Sequence, residues 1–505
     1  MRRLAGLLLI ALPTLAAAQS IVVSPKPDKV AVTVYRDPNG SGEMDLGWLG
    51  GFALITETRR VTLPAGEVDL RFEGVAGGLI PQSAVVSGLG DMVSEKNRDA
   101  KLLSPGTLID SYLGQRVHLR RTSRATGKVT EQEAIVRASG DGIVVQTETG
   151  VEALRCTGLP ETLLAPNVPA DLSAKPTLSV RARSLQPVEA KVTLTYLTSN
   201  FDWRAHYVAT LAPDGKTMAL FAWLTLANGD ETGFVNADTM AVAGRLNRED
   251  EERLEPEARS ISLNCWPSQR THEMTGDEIV VTGSRITRPS PVTTVDSEQF
   301  DLTGTVTVET LLARRENLGD LKIYRIPIPV SVASNSQKQV ALLEQSRAKL
   351  VDLFRWTTSF ANDSGDPRPV GRLLRMDNRE ADGLGLPLPA GSFTLYTMRD
   401  GQPFLLGEGQ MNDRAVGEMV EVALADTPGV RVMQSQSPPT AKGRETNIIV
   451  SNDQAIPARV ELRFGDESKP RGTGGGSLKR IDGYWLWATT IPANSSRTLT
   501  IRYPF

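Results

Sequence analysis

Apolar and polar residues alternate with a period of two along much of this chain. Val30, Val32 and Val34 are spaced by Ala31 and Thr33, Val61 and Leu63 follow, then Val68, Leu70 and Phe72. These runs are bounded by Pro, Gly or the turn sequence Asp37-Pro38-Asn39-Gly40. A period of two puts alternate side chains on one face of an extended chain, which makes these half-buried antiparallel strands. They predict a small N-terminal β domain over residues 19–101, with the polar stretch Ser94 to Lys101 as its linker.

The rhythm then shortens. Leu113 to Leu119, Ala134 to Val136, Ile143 to Thr147 and Gly150 to Leu154 are separated by a basic turn, Thr122 to Lys128, and by Gly140-Asp141-Gly142. Short strands and tight glycine turns in this order predict a small SH3-like barrel of five strands over residues 102–170. From residue 171 to 505 longer alternations return: Val192, Leu194 and Tyr196; Val420, Val422 and Leu424; Val460, Leu462 and Phe464; Leu499, Ile501, Tyr503 and Phe505. They predict a large antiparallel β-sandwich. An insertion at 248–319 opens with the charge-rich stretch Arg248 to Arg259. Helical spacing occurs in two places, Val306 to Arg315 and Ala348 to Trp356. The expected class is mostly β.

Composition narrows the functions. The 44 Gly and 31 Pro among 505 residues supply turns between short elements, and 40% hydrophobic residues exclude wholesale disorder. With 56 Lys+Arg against 59 Asp+Glu the net charge is -3, so there is no global basic field and nucleic acid is not an expected partner.

Arg2 and Arg3 precede an apolar run, Leu4 to Leu15, followed by Ala16-Ala17-Ala18-Gln19. A basic start, a short apolar run and small residues predict a secretory signal over residues 1–18. The run is shorter than the roughly 20 residues that span a bilayer. The expected location is the periplasm or the periphery of the outer membrane. In an oxidising compartment Cys156 and Cys265 are a candidate disulfide, closing a long loop and contributing roughly 4 to 5 kcal/mol.

Candidate chemistry is sparse. His118, His206 and His272 lack a second His or Cys at metal spacing, so no metal or cofactor is expected. Gly-x-Ser-x-Gly, phosphate-loop and His-Glu-x-x-His patterns are missing from the chain, so no catalytic residue is assigned and an enzyme is not expected. Tyr484, Trp485 and Trp487 are a candidate ligand platform, because Trp485 and Trp487 share a strand face and aromatic faces stack on sugar rings. Filling the core is the alternative. Gly472 to Gly476 is either a nest for an anion or a hairpin loop. Arg120, Arg121, Arg124 and Lys128 gather at one hairpin tip, but Glu131 and Glu133 follow at once, as on a solvated hairpin.

Several phrases resemble a known family. Val30 to Arg36, Tyr196-Leu197, Asn200-Phe201-Asp202-Trp203-Arg204-Ala205-His206-Tyr207, Ala222 to Gly229 and Tyr324-Arg325-Ile326-Pro327 resemble an uncharacterised bacterial envelope family catalogued as domain of unknown function 4139, in its mucoidy-inhibitor-like layout. Relatives carry a coiled coil where this chain has the barrel-like segment. Residues 277–313, from Asp277-Glu278-Ile279-Val280-Val281-Thr282-Gly283-Ser284-Arg285-Ile286 through Leu302-Thr303-Gly304-Thr305, resemble the start of the plug domain of TonB-dependent receptors. The chain after Ala313 is too short for the barrel of roughly 22 strands that such a receptor needs. The resemblances imply a Gram-negative envelope protein. The expected function is a binding or structural module with an envelope protein or polysaccharide as partner; the alternative is a glycan-acting hydrolase or a polysaccharide-binding protein.

Overall fold

The computed structural model describes residues 20–37, 40, 44–99, 102–123, 125–139, 142–154, 161–169, 172–244, 246, 312–318, 321–438, 443–465, 469–470 and 472–503. The expected signal, Cys156, Cys265, Arg124, His272 and all but Leu312 and Ala313 of the plug-like segment lie outside these residues. Among the described residues the fold is mostly β, with 64% strand and 4% helix. No helix among the described residues is long and apolar enough to cross a membrane.

The N-terminal strands do not form a separate set of sheets. Lys29–Tyr35 pairs antiparallel with Phe52–Leu63 and parallel with Phe234–Ala243, and Phe52–Leu63 runs along Val188–Ser199. These strands, with Arg314–Leu318, Leu321–Arg325, Val85–Ser87 and Val330–Val332, make an eight-stranded sheet. A boundary at residue 101 therefore does not divide the sheets. Alternation specifies which face of a strand is buried and leaves its partner open, here a strand some two hundred residues away. The expected linker from Ser94 is likewise strand: Val93–Asp99 is the polar edge of a four-stranded sheet, paired with Thr177–Ser184. Charged side chains suit an edge that faces water.

A five-stranded sheet, in the order Ser336–Lys349, Thr217–Asn228, Phe201–Leu211, Gly391–Arg399, Gln402–Met411, joins these two around one large core. Val32, Ile55, Phe72, Tyr196, Trp203 and Tyr207 are all fully buried there. Within the same core Glu57 and Arg59 are also fully buried. Arg59 Nε and Nη2 donate to Glu57 Oε2 at 2.8 and 2.6 Å, and its remaining donors reach the carbonyls of Ser24 (2.6 Å) and Glu73 (2.9 Å). The Tyr196 hydroxyl donates to Glu57 Oε1 at 2.8 Å. Burial pushes the Glu57 carboxyl up, while Arg59 and Tyr196 pull it back.

The SH3-like unit has its own core of Val117, Leu119, Val136, Val145 and neighbours. Its fifth strand is Glu161–Leu164, paired with Arg116–Thr122. Arg121 reaches Glu161 at 3.0 Å and Glu152 at 2.5 Å, and so ties together the two edge strands of the sheet. A helix over Pro105–Ser111, with a capping box at Ser104 and Thr107, closes one side.

The remaining strands form a nine-stranded sheet curled around a second core that holds Phe360, Val432, Leu462, Phe464 and Ile501. Its 18-residue strand Met419–Gln436 serves both cores: Val420, Val422 and Leu424 belong to the first, Val430 and Val432 to the second. The expected helix at Ala348 to Trp356 is instead the end of Ser336–Lys349 and the start of Val351–Thr358. Val351–Thr358 lies inside the sheet with Leu353 and Phe354 both buried, so period-two alternation is lost and the apolar spacing imitates a helix. The other helical candidate lies outside the described residues up to Leu311, and its end, Arg314 and Arg315, opens a strand paired with Leu321–Arg325.

Candidate functional site: a cleft between the two cores

A cleft of about 1050 Å³ opens where the chain passes from the five-stranded to the nine-stranded sheet. One wall is the hairpin turn Asp214-Gly215-Lys216. Asp214 Oδ1 accepts from the backbone N–H of Lys216 (2.8 Å) and Thr217 (3.1 Å), bonds that hold its carboxyl below the usual range, and Gly215 takes φ 64°. The opposite wall is the turn before Ala458–Phe464. There Asn452 Nδ2 donates to the carbonyls of Ile456 (2.9 Å) and Pro492 (2.9 Å), which fixes Ile456 and Pro457. Between them runs the crossover, where the N–H of Leu350 donates to the Lys216 carbonyl at 2.9 Å.

Six basic and four acidic side chains line the cleft. Arg372 is held by Asp352, with its shortest contact 2.6 Å, and Lys349 by Asp382 at 3.0 Å. Arg375 belongs to a four-charge lattice over adjacent strands: it contacts Glu421 at 2.9 Å and Glu461 at 2.7 Å, and Arg355 contacts the same two carboxylates at 2.6 and 2.9 Å. Hydrogen bonds from Arg355, joined by Arg375, hold the Glu421 carboxyl down at about 2. For Glu461 burial pushes up, but the two guanidiniums outweigh it and the carboxyl lies below its usual value.

Lys216, Arg347 and Arg459 are different. All three are exposed, and among the described residues no hydrogen bond or salt bridge holds their side chains, although the Arg347 charge helps hold the Asp214 carboxyl down. Asp377 is the one acid of the lining in the same condition. Leu211, Val351, Ile456 and Pro457 supply an aliphatic surface between the charges, over the buried Leu350 and Met376. The arrangement can attract and desolvate an anionic group beside apolar groups.

The residues singled out from the sequence are scattered. Tyr484, Trp485 and Trp487 lie on Tyr484–Ile491, away from the cleft lining. Trp487 is 2% exposed and belongs to the second core, Trp485 is half-buried with Arg480 5.2 Å over its ring, and Tyr484 has Arg463 at 5.9 Å. They do not form an exposed row, because the inward face of this strand fills the curled sheet. Gly475 and Gly476 pack against the Thr498 carbonyl and the Trp487 indole, where a Cβ has no room.

In the phrase Asn200 to Tyr207, Asn200 makes the left-handed turn (φ 66°) between the eight- and five-stranded sheets. Trp203 Nε1 donates to the Val242 carbonyl at 3.0 Å and the Tyr207 hydroxyl to the Pro389 carbonyl at 2.7 Å. Its roles are structural. His206 Nδ1 lies 2.5 Å from Ser392 Oγ, directly across a parallel ladder, beside a hollow of about 340 Å³ that Arg204, Gln337 and Gln339 also line. His118 is exposed on Arg116–Thr122. At the basic hairpin Arg120 pairs with Glu131 at 2.5 Å. The described residues hold no group of three His, Cys, Asp or Glu placed for a metal.

Sequence inspection missed Lys216, Arg347 and Arg459. Pro213-Asp214-Gly215-Lys216 carries turn-forming residues, but nothing local shows that positions 216, 347 and 459 meet. No family model matches the chain, and no curated protein matches it.

Proposed function

We propose that the chain is an exported envelope protein that works as a binding module and uses the cleft between its two cores to hold a partner. The observation that carries this is the cleft itself: a large opening at a junction of sheets, with three exposed cations that no salt bridge engages and an aliphatic surface. The basic start, apolar run and small residues before position 19 support export, and the family resemblance supports a Gram-negative envelope. The cleft carboxylates Asp352 and Asp382 are each held by a cation, a poor arrangement for an acid/base pair.

The mature chain is expected in the osmotic-shock fraction and should retain an envelope component when immobilised, while leaving added envelope glycan at its original length. Shortened glycan would put a hydrolase in place of the binding module.

A further inference from the structure

We infer that the ligand of this cleft is an acidic peptide segment whose carboxylates alternate with aliphatic side chains. The inference rests on the binding-module function and goes further by naming the ligand chemistry. Three charges decide the sign. Arg372, Arg375 and Lys349 are already neutralised by Asp352, by Glu421 and Glu461, and by Asp382, so they offer little to a newcomer. Lys216, Arg347 and Arg459 stand on three different elements around one opening and retain their hydrogen-bonding capacity. Against them stand two carboxylates, Asp377 and Asp214, the latter hydrogen-bonded by its own turn and acted on by Arg347, so the opening keeps an excess of positive charge.

The lining between the charges selects a peptide over a sugar chain. It is aliphatic, and Ile456 is 65% exposed there. The one aromatic residue in the lining, Phe354, is 5% exposed and offers no face on which a sugar ring could stack. Aliphatic side chains on the ligand would cover Ile456, Pro457 and Val351, and water excluded from them strengthens the neighbouring ion pairs.

The probe is a short fluorescent peptide alternating Glu with Leu, followed by anisotropy against the mature full chain. Its controls are the Lys/Leu peptide and an oligogalacturonate. The Glu/Leu peptide should bind saturably, more weakly as salt rises, and the Lys/Leu peptide should not bind. The triple variant Lys216→Glu, Arg347→Glu, Arg459→Glu should weaken binding about tenfold or more, from three exposed pairs of modest individual strength. Because all three side chains are exposed, its unfolding temperature should stay near that of the parent. Ile456→Asp should also weaken binding, through the aliphatic surface. No saturable binding, equal affinity for the Lys/Leu peptide, or an affinity untouched by the triple variant would overturn the inference. Tighter binding of the oligogalacturonate at the same residues would assign the cleft to an acidic glycan and overturn it too. If the immobilised chain still retains an envelope component while the peptide fails, the binding module stands and only the peptide inference falls.

Discussion

Glu57 and Arg59 in the first core lie two residues apart on one strand with side chains fully buried, whereas Arg355, Arg375, Glu421 and Glu461 spread over four strands of the curled sheet and keep 12 to 23% of their side chains exposed. The chemistry is the same, but the solvent is not. Taking an ion fully out of water costs several kcal/mol, so the buried pair is tolerable only because every contact it makes is met. Ser24, Glu73 and Tyr196 meet them, and Ser24 and Glu73 belong to the four-stranded sheet. The buried pair thus pins two sheets together. The lattice beside the cleft retains part of its hydration and shares each charge between two partners, so losing one member leaves the others paired.

The contrast can be broken by mutation. Glu57→Gln leaves Arg59 buried without its counter-ion and should lower stability by about 3 to 5 kcal/mol in denaturant unfolding. The double variant Glu57→Met, Arg59→Met should lose much less. Additive losses would mean that the two charges do not act as a pair. Next in size, Trp487→Ala should cost about 3 to 5 kcal/mol as a core truncation, while Tyr484→Ala at the exposed start of the same strand should change stability by under about 0.5 kcal/mol. Equal losses would contradict the orientation of that strand.

The lattice is sharpened by acid. Glu421 is held at about 2 in the folded chain against 4.5 as its ordinary value, so the folded state releases its proton more readily than the unfolded state. That contribution is complete above pH 4.5 and is lost as pH falls toward 2, at most about 3 kcal/mol in total. Thermal unfolding across this window should show the loss, and Glu421→Gln should flatten it. An unchanged slope in the variant would remove Glu421 as its source. Smallest of all, Arg121→Ala in the SH3-like unit should cost about 1 kcal/mol or less, since its side chain is 29% exposed and its partners are partly solvated.

How much of this was legible differs by level. Strand existence was readable from alternation: Val30, Val32 and Val34 are buried as their spacing requires, and so are Leu499, Ile501 and Tyr503. Pairing was not, because a period of two says nothing about the neighbour, and Lys29–Tyr35 joins Phe234–Ala243 in parallel. The buried ion pair did leave a trace. In Phe52–Leu63 the inward phase reads Ala53, Ile55, Glu57, Arg59, Val61 and Leu63, with two charges where apolar residues belong. The cleft left none, since Lys216, Arg347 and Arg459 are ordinary surface residues until the crossover brings them together. The tryptophan pair is the converse, a conspicuous motif whose shared face packs on the second core, with Trp487 buried and Trp485 half-buried.

The most direct test of the cleft as the binding surface is photo-crosslinking, with a benzophenone amino acid placed at Arg347 and, as control, at Leu185, which is 94% exposed and not part of the lining. In intact envelopes position 347 should yield a discrete crosslinked partner and position 185 none. The same partner from both positions, or from position 185 alone, would contradict a cleft that binds.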